Sequence, residues 1–334
     1  MSRNSFAIVG GNTLLGRELR EVFEAIPGET DLRLIDAEEG EAVGLVEDAG
    51  EAVVVSPLEA ESLAAAAVVL CAGGAASTRR AWELLAARKE RPFVVDLSGS
   101  LAATPGAQLR APSVEPPGFP VRKDAVQVVA HPATVALAIL LRRVLAVGKV
   151  DSMVVNAFLP ASEQGNAGLD ELHQQTVSLF AFQDMPKTVF DEQLSFNLLP
   201  VWGEEASAGK LTDVERAVRE ELPRILPGAS EIAISLRVVQ APVFHSLSFS
   251  VWLSGSAATD VEALARGLRG ELVDVWEAAN GAPNNVSTVG DAGISVGDLR
   301  ADAGNQNACW LWMTADNLRL RATNAIGAAR IWLA

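Results

Sequence analysis

No tyrosine occurs in this chain of 334 residues, and the other groups that lend themselves to chemistry are scarce, with three histidines and two cysteines. Acid–base catalysis near neutral pH can draw on His131, His173 and His245 alone among imidazoles. Cys71 and Cys309 each sit in an apolar, strand-like run, residues 68–72 and 309–313, with no second ligand type at metal-binding spacing. They read as buried, reduced core thiols, and no metal site is expected. Cations are also in deficit: 27 Lys and Arg against 42 Asp and Glu give a net charge of -15 and a pI near 4.7. Such a surface repels phosphate backbones, so nucleic acid is not expected as a partner. No apolar run is long enough to cross a bilayer, because the longest is broken by His131, Pro132, Arg142 and Arg143, and no membrane partner is expected. A strand begins at about residue 6, which leaves no room before it for a signal peptide and points to a cytoplasmic protein. With 49% hydrophobic and 21% charged residues, and no repeat or low-complexity tract, the chain is expected to be globular and large enough for two domains with their own cores.

What is present is organised around residues 126–141. Residues 126–130 form a β-branched run, Pro132 forbids a continuing ladder, and residues 136–145 have helical spacing. A side chain at this junction is held at a strand end beside the positive end of a helix, where enzymes often place a nucleophile. Here the junction offers His131 and Thr134 and no cysteine.

Ahead of it, strand 6–9 leads into Gly10, Asn12, Thr13, Leu14, Leu15 and Gly16 and then a helix from about residue 17 to 25. This is the strand, glycine turn and helix of a dinucleotide-binding unit, with Gly10 allowing the tight turn and Gly16 the close helix packing. Thr13 stands where a middle glycine is usual, and its Cβ would hinder backbone approach to phosphates. Strand 32–35 ends in Asp36, placed to accept ribose hydroxyls, and Asp36 with Glu38 and Glu39 would repel a 2'-phosphate. NAD is therefore expected over NADP if a dinucleotide binds; an ordinary solvated loop is the other reading of the same residues. Further strands at 53–55, 68–71 and 93–96, the turn at Gly73 and Gly74, a helix at 77–88 and a proline-rich loop at 105–120 complete a doubly wound parallel sheet. Beyond the junction the tempo changes. A strand at 150–158, helices at 169–181, 213–225 and 260–268, a long irregular segment to Pro200, and strands at 232–243, 246–253 and near Val296 and Trp310 suggest an α+β domain suited to packing against a twin subunit. His173 falls on a polar helix face and reads as solvated, and the seven tryptophans read as core or interface.

Taken together, the 10–16 turn, Gly73-Gly74 with Ser77, Asp96 with Ser98, Glu171 with Gln175 and Thr176, Gln193 with Phe196-Asn197 and Pro200, Pro242-Val243, His245-Ser246, and Asp316-Asn317-Leu318-Arg319 with Asn324-Ala325 resemble the aspartate-semialdehyde dehydrogenase family nearly end to end. The resemblance implies a Rossmann-like domain at 1–131 completed by a C-terminal helix at 316–334, an inserted α+β dimerisation and substrate domain at 132–315, and a homodimer. It adds Asn317, Gly73 and Gly74 to the cofactor-binding positions. The family works through a cysteine thioester, because a thiohemiacetal gives up hydride and leaves an acyl group that phosphate can attack. In this chain Thr134 stands at the cysteine's place, Ala133 and His131 at asparagines, Leu159 at the orienting glutamine, Gln240 at the carboxylate-binding arginine, and Ala102 and Ala217 at the cations of the phosphate site. Glutamine lacks arginine's charged fork, and a threonine hydroxyl is a much weaker nucleophile with no neighbouring base guaranteed. His245 keeps the acid–base position, either for proton transfer or ligand contact, or as a structural hydrogen-bonding residue. This pattern is similar to the divergent Usg-type branch of the family.

Three functions follow as expectations. The first is a protein that has lost phosphorylating aspartate-semialdehyde dehydrogenase activity and acts as a dimeric binder of an NAD-type nucleotide or small metabolite. The second is an NAD(P)-dependent oxidoreductase on another semialdehyde or carbonyl without a thioester, and the third is a structural partner of another protein.

Overall fold

The computed structural model describes residues 5–26, 31–37, 44–48, 51–86, 88 and 90–330. The chain divides into two compact units, residues 1–130 with 321–334, and residues 131–320.

In the first unit the elements run β1 (Ser5–Val9), α1 (Leu14–Glu24), β2 (Asp31–Ile35), β3 (Gly44–Asp48), β4 (Glu51–Ser56), α2 (Ala60–Ala64), β5 (Val68–Cys71), α3 (Ala75–Ala86), β6 (Phe93–Asp96), β7 (Gln108–Arg110) and β8 (Gln127–Val129). They form a sheet of order β3-β4-β2-β1-β5-β6-β8-β7, parallel throughout except for the antiparallel edge pair β3 and β4. Strands β1, β5 and β6 are buried at every position, so they carry continuous apolar runs instead of alternation, as strands covered on both faces must. The segment expected as a loop at 105–120 contains β7, a three-residue edge strand. Three residues are too few to show a strand periodicity, and β7 is held by Arg110, whose guanidinium is buried against Glu115 at 2.7 Å and donates to Gln127 Oε1 at 2.9 Å. Glu38 and Glu39, and residues 331–334 of the expected terminal helix, lie outside the described residues.

The second unit contains α4 (Pro132–Val147), β9 (Ser152–Leu159), α5 (Gly165–Ala181), α6 (Leu211–Ile225), β10 (Ala233–Gln240), β11 (Leu247–Ser254), α7 (Val261–Leu268), β12 (Val273–Val275), β13 (Ile294–Ala301), β14 (Ala308–Ala315) and the start of α8 (Asn317–Ala328). The sheet order is β10-β9-β11-β14-β13-β12, with β10 and β12 parallel to their neighbours and the rest antiparallel. Residues 182–210, which carry no regular helix or strand, are ordered from α5. Glu171, buried, accepts the backbone N–H groups of Thr188, Val189 and Phe190 at 2.6, 2.7 and 3.1 Å. One turn on, Gln175 Oε1 accepts from Leu194 and Ser195, and its amide donates to the carbonyls of Pro186 and Glu192. Two side chains at helical spacing i and i+4 thus supply the partners that a coil segment cannot find in itself. His173, on the opposite face, is exposed.

Candidate functional site

At the end of β1 the chain turns through Gly10, whose φ of +78° favours glycine. The backbone N–H groups of Gly10 and Gly11 both donate to Ile35 O, at 2.8 and 3.2 Å, tying this turn to the end of β2. A Cβ on Gly10 would strike the backbone of Gly73, and one on Gly16 would strike the carbonyl of Gly10. Three glycines from the motifs therefore pack backbone against backbone, and Gly74 beside them faces open space with φ +95°. Thr13 is the N-cap of α1: its hydroxyl accepts from Gly16 N at 3.1 Å and donates to Gly10 O at 2.7 Å. That hydrogen bonding gives the threonine a reason to replace the middle glycine. The N–H groups of Leu14 and Leu15 find no acceptor among the described residues, and Asn12 Oδ1 is buried without a partner. Asp36 follows β2 with its N–H on Ser56 O at 2.9 Å. Donors at a helix start, an unsatisfied buried acceptor and a floor bare of Cβ atoms fit a nucleotide's diphosphate and sugar.

In the second unit, α4 begins earlier than the apolar spacing indicated, at Pro132. Proline is at home there because its missing N–H would have had no intrahelical acceptor. His131 is the N-cap, its Nδ1 accepting from Ala133 N at 3.1 Å, which leaves Nε2 toward the Glu163 carboxylate at 3.5 Å. Thr134, fully buried in the first turn, donates its hydroxyl to Glu221 Oε2 at 2.6 Å, and the same oxygen accepts His131 N at 2.9 Å. The junction thus consists of a threonine, a histidine and two carboxylates, Glu221 from α6 and Glu163 from the short turn at 161–164. Neither carboxylate was singled out from the sequence. Helical spacing was the available signal for Glu221, since α6 buries Leu211, Val218 and Leu222, and Glu215 and Glu221 fall beside that stripe. Glu215 likewise turns inward, accepting Val238 N at 2.9 Å.

Leu159 and Gln240 face each other across β9 and β10, both fully buried. The Gln240 amide donates to Leu159 O at 2.9 Å and to Ala241 O at 3.3 Å, while its Oε1 has no partner. The side chain therefore closes a strand end. His245 is partly exposed, on a turn that Ser246 enters with φ +68°. Asn317 Oδ1 accepts Ser246 N at 3.2 Å, and Asn285 donates to the carbonyls of both His245 and Ser246 while accepting from Ser248. The Asn317 amide is also engaged with Ser162, at 3.1 Å. The imidazole of His245 has no hydrogen-bond partner among the described residues, whereas its backbone is fixed from two sides. Asn285 and Ser162 were not distinguishable in the sequence from ordinary loop residues.

Neither thiol is near ionisation. Burial, and then the Asp96 carboxylate, push the Cys71 thiol far up, and burial pushes Cys309 up to about 11. Both are free and buried in their strands. Among the described residues no group of three or more His, Cys, Asp or Glu side chains is arranged to hold a metal ion, and no helix is long and apolar enough to cross a membrane.

Residues 141–320 match the family described as semialdehyde dehydrogenase, dimerisation domain. Over 337 aligned positions the chain is 33% identical to a USG-1 protein homolog of Azotobacter vinelandii, covering 97% of this chain and 96% of that protein. In fold it is similar to aspartate semialdehyde dehydrogenase II of Vibrio cholerae, crystallised with ASA, with a TM-score of 0.83 at 23% identity over 98% of each chain. It is also similar to the Candida albicans aspartate semialdehyde dehydrogenase solved with NADP, with a TM-score of 0.66 at 13% identity over 98% of this chain and 99% of that one. An α/β unit with seven parallel strands, a mixed six-stranded sheet in the dimerisation domain and these end-to-end matches lead to one conclusion: the chain belongs to the aspartate-semialdehyde dehydrogenase family.

Proposed function

We propose that this protein does not carry out the phosphorylating aspartate-semialdehyde dehydrogenase reaction and acts as a dimeric, cytoplasmic binder of an NAD-type dinucleotide or small metabolite. One observation carries the reading: the first turn of α4 presents Thr134, whose hydroxyl is already donated to Glu221, and the only two thiols in the chain are buried and un-ionised in strands elsewhere. An aliphatic hydroxyl is a weak acid and a carboxylate a weak base, so this pair orients Thr134 without making an alkoxide. A thioester has no atom to form on.

In this reading residues 1–131 with 316–334 are the dinucleotide-binding domain and 132–315 the dimerisation and substrate domain. Gly10, Gly16 and Gly73 let the turn close backbone against backbone, Gly74 leaves the space beside it open to a phosphate, Leu14 and Leu15 donate to that phosphate, and Asn12 and Asp36 face the sugar. Asp36 disfavours a 2'-phosphate, so NAD binds in preference to the NADP held by the Candida relative. When bound, the nicotinamide supplies a hydride acceptor or donor. His131, Leu159, Gln240 and His245 are the positions that would meet a small ligand in the second domain.

For the homodimer, support comes from the apolar surface left open on α5 and the segment after it. Phe180, Phe182, Phe196 and Leu198 are exposed, and the rings of Phe180 and Phe196 meet edge to face at 5.8 Å. The second reading, an NAD(P)-dependent oxidoreductase on another carbonyl compound, is favoured by His245, an imidazole on a turn fixed by Asn285 and Asn317 and free to donate or accept a proton.

The test is NAD or NADP reduction with aspartate semialdehyde and phosphate, beside calorimetric titration of both dinucleotides and sedimentation at micromolar protein. The expected results are no phosphate-dependent turnover, NAD tighter than NADP, and a dimer mass. Robust turnover by the wild type would overturn the proposal, and failure to bind either dinucleotide would remove its cofactor. Turnover with other aldehydes or alcohols would select the second reading.

A further inference from the structure

At the C-terminal end of α4 the second unit contains a cavity of about 310 Å³ that has no part in the junction described above. Val144 and Val147 of α4, Val150, Leu253 of β11, Leu264 of α7 and Cys309 of β14 line it. Val144 lies ten residues beyond Thr134 on the same helix, a separation of about 15 Å at 1.5 Å per residue. Apolar cavities of roughly 150 Å³ hold a benzene molecule, and small-molecule sites begin at roughly twice that volume. The space here is therefore large enough for a single-ring compound.

Its chemistry is specific in two respects. The charged groups at its rim are already engaged: Asp260 Oδ1 caps Ala263 N at 2.9 Å, and Lys149 pairs with Asp151 at 3.4 Å. The Cys309 thiol, surrounded by apolar groups, stays protonated. A charged ligand would lose its hydration without gaining a free counter-charge. By contrast, Ser256 and Thr259 are among its lining residues, and their hydroxyls hydrogen-bond to no protein group among the described residues. They can receive one polar end of an otherwise apolar molecule.

We propose that this cavity is a binding site for an uncharged small molecule with an apolar body, one ring or a branched aliphatic chain, and a single hydroxyl- or amide-like end. It is separate from the Thr134 junction and does not depend on what that junction binds. The hydroxyl end sits at Ser256 and Thr259, and the body packs on Val144, Val147, Leu253 and Leu264.

Benzyl alcohol is the probe, with benzoate and benzylammonium as charged controls, added to the full-length protein. Saturation-transfer NMR and thermal unfolding should both report saturable binding of benzyl alcohol in the millimolar range, with ring protons close to the Val144 and Leu264 methyls. Each charged control should bind at least about tenfold more weakly, the step that a lost hydration shell makes easily. Gly148→Val provides the blocking variant, because Gly148 lines the cavity, its φ of -174° suits any residue, and a Cβ there meets nothing within 4 Å. Ala263→Phe fills the space from the α7 side. Both should abolish probe binding. The proposal is overturned if the wild type shows no saturable binding, if either charged control binds as tightly as the alcohol, or if a folded filling variant binds like the wild type; the wild-type titration decides even where a variant does not fold.

Discussion

Replacing Thr134 by valine exchanges a hydroxyl for a methyl of nearly equal volume, so the helix keeps its packing and loses one hydrogen bond. That bond, 2.6 Å to Glu221 Oε2, is charge-assisted and buried on the threonine side. Bonds of this kind contribute about 1.5–3 kcal/mol. Glu221 keeps its second donor, His131 N at 2.9 Å, and is partly open to water, which places the expected loss at the lower end, about 1.5–2 kcal/mol. For a unit of this size that corresponds to roughly 3–8 °C in Tm. Urea unfolding followed by intrinsic fluorescence is the assay, since Trp202, Trp252, Trp276, Trp310 and Trp312 all belong to the second unit. The midpoint should fall with an unchanged slope. A cycle with Glu221→Gln should show a coupling of at least about 1 kcal/mol. Dinucleotide binding should not change. A valine variant as stable as the wild type, or additive effects in the cycle, would refute the view that the hydroxyl's work here is to hold the start of α4 to α6.

Gly16→Ala should give a protein that is destabilised by more than about 2 kcal/mol, because its Cβ meets the Gly10 carbonyl, and that binds no dinucleotide by calorimetry. Glu171→Gln leaves three N–H groups, two of them buried, facing one neutral oxygen and a misplaced amide; a loss of about 2–3 kcal/mol and faster proteolysis within residues 182–210 are expected. Asp302 is held below the usual carboxylate range by the Gly304 N–H, the indole N–H of Trp252, and further by Trp310 and Asn305. Its folded value lies below its unfolded one, so its stabilisation is present above about pH 4 and is lost as pH falls through the folded value. Near-UV circular dichroism from the two indoles should change in that acid window in the wild type and show no such step in Asp302→Asn.

The parallel sheet was legible because its central strands are buried on both faces and so read as unbroken apolar runs, Phe6 to Val9 and Val68 to Cys71 among them. The glycine turn was legible for the same kind of reason: no other residue fits at Gly10 or Gly16. What escaped were elements held by partners remote in sequence. Strand β7 exists because Arg110 finds Glu115 and Gln127, which its three residues do not announce. At the junction, Thr134 and His131 could be named from position alone, but Glu221 comes from 87 residues away, and among the many acidic residues of α6 only helical phase distinguishes it. The start of α4 was misjudged because apolar spacing sets in after Pro132 and Thr134, whereas proline and a histidine cap had already fixed the first turn. Thr13 is also the cap of α1, a role that depends on hydroxyl direction and that residue size does not announce.

Glu171 and Gln175 bind only main-chain groups of the segment they order. The identities of the remaining side chains between Pro186 and Ser195 are therefore decoupled from the path of the backbone there, provided Val189, Phe190 and Leu194 stay apolar inside, Asp191 keeps the Glu205 N–H and Ser195 keeps Thr176. Such a stretch can exchange its outward residues, Phe196 and Leu198 just beyond it included, without having to refold. What the surface of this stretch presents is thus set apart from what holds it in place, so the one can change while the other stays fixed.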